Sequence, residues 1–142
     1  MIKPVRRAVF FGLILASLVS GCAMQPPTPA TTPQNPAVAE LLAAASAETS
    51  AGRFPQAIAV LERALRIEPR NPLLWQELAR VYLQRGDYRQ AEQMAARSNS
   101  WVGSNRSLLA ENWRIIGAAR EQRGDPTGAR AAFERAAQLE HL

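Results

Sequence analysis

In 142 residues the chain has one cysteine, Cys22, and one histidine, His141. A single thiol cannot close an intrachain disulfide, and a lone histidine cannot assemble a zinc site. Lysine is almost missing: Lys3 is the only one, so beyond the N-terminal segment every cationic side chain is an arginine. No apolar run reaches the roughly 20 residues of a membrane-spanning helix; the longest extends from Ala8 to Val19. There is no glycine-rich phosphate loop, no cluster of metal ligands, and no nucleophile with a base at a helpful spacing. Glu62, Glu68, Glu121 and Asp125 sit among arginines, and Glu62 and Arg66 have the i,i+4 spacing of a helical ion pair. His141 is penultimate, where a solvated terminus is the simpler reading. A catalyst is therefore not expected, and neither is a cofactor. The function expected is binding.

What is present begins with an address. A basic start (Lys3, Arg6, Arg7), an apolar stretch and small residues up to Gly21 form the pattern of an export signal over residues 1–21. Its end, Val19-Ser20-Gly21-Cys22, resembles the bacterial lipobox, which implies a covalent lipid on Cys22 as the first residue of the mature protein. The following Ala23 is not the aspartate that favours retention in the inner membrane, so the resemblance implies an outer-membrane anchor facing the periplasm. Removing the signal takes Lys3, Arg6 and Arg7 with it and leaves 14 Arg against 12 Asp and Glu, close to balance despite the formal +5 of the whole chain. Interspersed charge of this kind belongs to solvated helix faces, and export separates the chain from nucleic acid, which is excluded as a partner.

Residues 22–37 read as a tether. Five prolines between Gln25 and Pro36 forbid helix and favour extended chain, about 3.1 Å per residue or roughly 45 Å in all. From Val38 the composition changes to Ala, Leu, Arg, Glu and Gln at helical spacing. Gly52-Arg53-Phe54 and Gly86-Asp87-Tyr88 lie 34 residues apart, and Gly124-Asp125-Pro126 follows after 38. The small residues Ala57, Ala91 and Ala129 fall where paired helices approach closely, and Phe54 and Tyr88 fall where a ring fills the space between hairpins. Asn71-Pro72 and Asp125-Pro126 offer an N-cap followed by proline at the first helical position.

A 34-residue helix–turn–helix period marks the tetratricopeptide repeat, and Gly52 to Asn71 resembles its second half almost position by position. Trp75, Leu78, Ala79 and Tyr82 match its first helix, as do Trp113, Ile116 and Gly117; Phe133 and Ala136 match its second. The resemblance implies an all-α fold of about three hairpins, residues 38–71, 72–105 and 110–142, stacked as a short right-handed solenoid. Departures are Glu48 and Arg120 in place of tyrosine, Ala95 in place of a bulky residue, and Gly103 in place of proline. Residues 99–109 break the period by four residues. There Ser104 or Asn105 is expected to cap a helix running to about Arg123, near 28 Å long and about one turn longer than its neighbours. Trp101, off the repeat pattern, is expected to fold over the seam beside Ala95, with an exposed partner anchor as the alternative. Phe133 and Leu139 of the last helix are expected to face inward.

In this family the first helix of each hairpin lines a concave groove. Carried over position by position, the groove is Leu73, Gln76, Arg80, Leu83 and Gln84, then Glu111, Arg114, Ala118, Glu121 and Gln122. Ala39, Leu42, Ser46 and Thr49 of the first repeat are small and carry little information. The Lys and Asn pairs of the chaperone-type carboxylate clamp are absent, so that specificity is not transferred. Arg80 and Arg114 suit a partner carboxylate; pairing with Glu77 or Glu111 on the surface is the equal alternative.

Signal, lipidated cysteine, proline-rich tether and three repeats together resemble the LpoP-type outer-membrane lipoproteins, which implies a partner: a class A penicillin-binding protein, the bifunctional peptidoglycan synthase that such proteins activate. Three other readings stay open at this point: a pilotin-like assembly factor for a secretin or type IV pilus, against which the repeat number counts; a cell-wall binder using Arg80 and Arg114 on anionic stem peptides; and a general protein-interaction scaffold. The concave or convex face as the docking side, and the oligomeric state, are open as well.

Overall fold

Four of the six helices among the described residues start on the same device: a short side chain that can accept from the backbone, followed by a first turn whose donors have no other partner. In the computed structural model, which describes residues 32–141, Asn35 Oδ1 accepts from the Ala37 N–H at 2.9 Å to open α1 (Pro36–Ser50). Asn71 Oδ1 accepts from the Leu73 N–H at 3.0 Å to open α3 (Pro72–Arg85). Asn105 Oδ1 accepts from the Leu108 N–H at 2.9 Å for α5 (Arg106–Gln122), and Asp125 Oδ1 from the Gly128 N–H at 2.8 Å for α6 (Pro126–Glu140). The remaining helices, α2 (Phe54–Ile67) and α4 (Tyr88–Asn99), lack a side-chain cap; they enter from tight turns within hairpins. Gly86, at φ 88°, ends α3 in the left-handed region, where any β-carbon would be strained. Its N–H returns to the Leu83 and Tyr82 carbonyls.

The first helix begins at Pro36, two residues ahead of the expected start, because Asn35-Pro36 acts as cap and first helical residue instead of closing the tether. The export signal, Cys22 and the tether up to residue 31 lie outside the described residues. Among those described, no helix is long and apolar enough to cross a membrane.

Each helix packs on the next, and α3 also packs on α5, which makes three antiparallel hairpins in a row. Two apolar clusters run through the stack. Val38, Ala57, Leu61, Ala64, Leu74 and Leu78 centre the first; Ala79, Ala91, Ala95, Ile115, Ile116, Ala119 and Ala132 centre the second. Tyr82 and Met94 join both. Ala57 and Ala91 are fully buried, as the spacing argument required, and Phe54 and Tyr88 pack on the first and second clusters respectively.

Asn105 rather than Ser104 caps α5. At 17 residues, about 25 Å, α5 exceeds the 12-residue α4 by more than a turn but the 15-residue α6 by only half of one. Two expectations are corrected. Phe133 does not face wholly inward: its ring edge lies on Gly117, yet the side chain remains 37% exposed because no described helix follows α6. The Glu62–Arg66 pair is not among the ion pairs of the described residues; both side chains are exposed.

Candidate partner-binding groove

Antiparallel hairpins put α1, α3 and α5 side by side on one face. Between α1 and α3 lies a hollow of about 200 Å³ lined by Leu42, Ser46, Thr49, Glu77, Arg80 and Gln84. Between α3 and α5 lies one of about 330 Å³ lined by Arg80, Ser107, Leu108, Glu111 and Arg114. Arg80 borders both, so the two form one shallow trough. Its floor is charged. Arg80 Nη2 donates to Glu111 Oε1 at 3.0 Å and its Nη1 stands 3.7 Å from Glu77. Arg114 Nη1 donates to Glu111 Oε2 at 3.1 Å, and Arg114 Nη2 donates to Glu140. The result is an unbroken row, Glu77–Arg80–Glu111–Arg114–Glu140, across three helices.

The row explains the acidities. Burial pushes the Glu77 carboxyl above the usual carboxylate range; Arg80 opposes this and Glu111 adds to it. Arg80 offsets only part of the burial effect, and its shorter contact is with Glu111. Arg114 is held more firmly protonated by its bonds to Glu140 and Glu111. Between the ordinary and the raised value for Glu77, the folded protein binds more protons than the unfolded chain. Stability therefore falls as pH rises through that window. Glu77→Gln is expected to remove this dependence: the variant should be slightly more stable than the parent at neutral pH, with the difference closing by about pH 4. Urea midpoints at the two pH values measure it.

Of the expected groove residues, Arg80, Gln84, Glu111 and Arg114 line the trough with Leu42, Ser46 and Thr49, and Gln76 lies at its floor; Leu73, Leu83, Ala118, Glu121 and Gln122 are not in its lining. Arg80, Arg114, Leu73, Leu83, Ala118, Gln84 and Glu121 are exposed or half-buried, as are Glu111 and Gln122. Gln76 is 2% exposed and unavailable to a partner. Its Nε2 donates to Asn112 Oδ1 at 2.9 Å and to the Leu108 carbonyl at 3.2 Å. Asn112 Nδ2 in turn donates to Ser98 Oγ at 2.7 Å and Asn99 Oδ1 at 2.8 Å, and Ser98 Oγ donates to the Pro72 carbonyl at 2.8 Å. This buried network ties α3, α4 and α5 together under the irregular connector, and no buried side-chain nitrogen or oxygen of the described residues is left without a partner. Sequence reasoning missed it. The available signal was Asn112 itself, a polar residue 38 positions after the fully buried Leu74.

Trp101 also departs from expectation. It does not cover the seam at Ala95; Val102 is the connector side chain that turns inward, at 3% exposure. The Trp101 ring stays half-buried with the Arg70 guanidinium 5.2 Å from its centroid.

These observations define a class: stacked helical hairpins with a charged, open concave face form a protein-interaction module. The Tetratricopeptide repeat family model matches residues 48–105. The globular C-terminal domain of P. aeruginosa LpoP is similar at 39% identity, over 73% of this chain and 98% of that domain, with a TM-score of 0.71. The tetratricopeptide-repeat domain of Sgt2 from Aspergillus fumigatus, at 24% identity over 82% of this chain and 73% of that one, TM-score 0.69, shares the fold. No curated protein matches. The chain belongs to the LpoP-like tetratricopeptide-repeat proteins.

Proposed function

We propose that this chain is a non-catalytic lipoprotein, anchored through Cys22 to the periplasmic side of the outer membrane, that binds a class A penicillin-binding protein through its repeat domain and activates it. The observation that carries the reading is the 39% identity spread over 98% of the LpoP globular domain, joined to the lipobox-like end of the export signal. Activation by such a module is differential affinity: it binds the synthase's active arrangement more tightly and shifts the population towards it.

The trough supplies the chemistry of contact. Arg80 and Arg114 are 41% and 43% exposed, and pairs of that kind contribute only about 0–1 kcal/mol each. A partner carboxylate can take over a guanidinium fork, or a partner arginine can take over Glu111, with little net loss inside the domain. Reversing both arginines would line up carboxylates from Glu77 to Glu140 and disturb the fold as well as the contact, so neutral variants are the cleaner probe. Arg80→Gln with Arg114→Gln is expected to weaken capture of the purified synthase about tenfold, with unchanged helicity. The decisive experiment adds the unacylated repeat domain to the cognate synthase and follows glycan polymerisation and cross-linking. Unchanged rates refute activation, and capture undiminished in the double variant moves the contact off the concave face.

A further inference from the structure

Among the described residues eight arginines stand outside any ion pair: Arg63, Arg89, Arg130 and Arg135 are scattered along α2, α4 and α6, and the other four gather at one edge. Arg53, Arg80, Arg85, Arg114, Arg120 and Arg123 all pair with a carboxylate; they lie in the trough or at the edge formed by the turns within hairpins. The opposite edge is formed by the connections between hairpins: the C-terminal ends of α2 and α4, the segments 68–71 and 100–105, and the N-terminal ends of α3 and α5. It carries Arg66, Arg70, Arg97 and Arg106, all exposed and none in an ion pair among the described residues. Glu68 and Glu140 lie there too, both hydrogen-bonded, though only Glu140 meets a cation. Glu68 accepts from the Gln34 and Asn35 N–H groups and from Asn71, and Glu140 is bonded to Arg114.

Two of these arginines are held on tryptophan faces rather than by carboxylates. Arg97 lies 4.6 Å from the Trp75 centroid and Arg70 lies 5.2 Å from that of Trp101, while Trp75 Nε1 donates to the Pro69 carbonyl at 2.9 Å. Stacking orients a guanidinium without neutralising it. Ile67, 45% exposed, adds apolar surface at the same edge. The N-terminal segment also arrives here, since Gln34 and Asn35 are bonded to Glu68. Gln34 stands twelve positions after Cys22, a reach of about 40 Å at most.

We infer that this inter-repeat edge is a binding surface for anionic phospholipid headgroups, with Arg70 and Arg97 taking phosphates and Trp75 and Trp101 seated at the headgroup level. It deepens the anchored reading above: the lipid on Cys22 would tether the domain at the edge whose charge is free, leaving the trough facing sideways to a partner. Guanidiniums match phosphates bidentately, and tryptophan favours the membrane–water boundary. An acidic segment of a protein is the competing occupant. The lipid is favoured because the anchor-bearing segment enters at this edge.

The test uses residues 22–142 with Cys22→Ser, so that no acyl chain contributes, and vesicles of phosphatidylcholine with or without phosphatidylglycerol. Co-sedimentation is expected only with the anionic vesicles and should fall as salt screens the charges. Arg70→Gln with Arg97→Gln is expected to lower partitioning about fivefold per arginine. Arg89→Gln with Arg130→Gln, an equal charge change elsewhere, should leave it unaltered. Circular dichroism of each variant reports the fold. No preference for anionic vesicles, or equal loss in the two double variants, overturns the proposal. Loss of synthase capture with vesicle binding intact overturns it in favour of an acidic protein segment. Vesicle binding is read without any synthase, so its failure and that of the activator reading are distinct.

Discussion

Asn112→Leu is expected to destabilise the domain by about 3 kcal/mol, the largest single-residue effect outside the apolar core. The asparagine accepts from Gln76 and donates to Ser98 and Asn99, and it is fully buried. Leucine has similar volume and suits the equivalent position of the preceding repeat, where Leu74 is fully buried. It cannot accept from Gln76 Nε2, which would keep only the longer bond to the Leu108 carbonyl, and it leaves the Asn99 amide oxygen short of a donor. Each such orphan costs about 1–3 kcal/mol. Urea unfolding should show the loss with an unchanged slope. A cost below about 1 kcal/mol would mean that water or a side-chain rotation replaces the network, and that the seam is held by packing alone.

A second large effect is expected at Gly117. A β-carbon there would meet the Phe133 ring at 2.6–2.9 Å, closer than carbon atoms approach. Gly117→Val is expected to cost about 2–3 kcal/mol, since the overpacking penalty of 1–3 kcal/mol outweighs any gain from replacing a helical glycine. Combined with Phe133→Ala, the valine should cost less than it does alone, because the obstacle is gone. Independent, additive losses in the double-mutant cycle would show that the close approach of α5 and α6 is not what requires the glycine. The position is informative because the corresponding residue of the preceding repeat, Ala79, tolerates a methyl group and is fully buried. The last hairpin is the tighter one, and it gets there by laying a ring against bare backbone.

Much of the architecture was legible from residue spacing. The 34-residue separation of Gly52 and Gly86, the Asn-Pro and Asp-Pro pairs, and the alanines 57, 91 and 129 each have a local steric reason. Local reasons survive in any context, so turns, caps and helix pairing could be placed before any tertiary contact was known. The candidate trough was legible in part, because which residues share a helix face follows from 3.6 residues per turn. Arg80 and Arg114 lie on that face as expected. Gln76 lies on it too, but one helix face extends from the open trough to the covered seam, and periodicity does not mark where the neighbour begins. The four-residue insertion draws the N-terminal turn of α5 over Gln76 and gives it Asn112 as a partner.

The side-chain sequence alone determined the helices, their order and the charge that each carries, because those depend on neighbours within one or two turns. Only the folded stack decided which charges cancel. Arg114 meets Glu140 from 26 positions away and Arg120 meets Glu92 from 28, whereas Arg70 and Arg97 find tryptophan faces and keep their charge. Partner choice of this kind depends on distances across hairpins, which one-dimensional spacing does not encode.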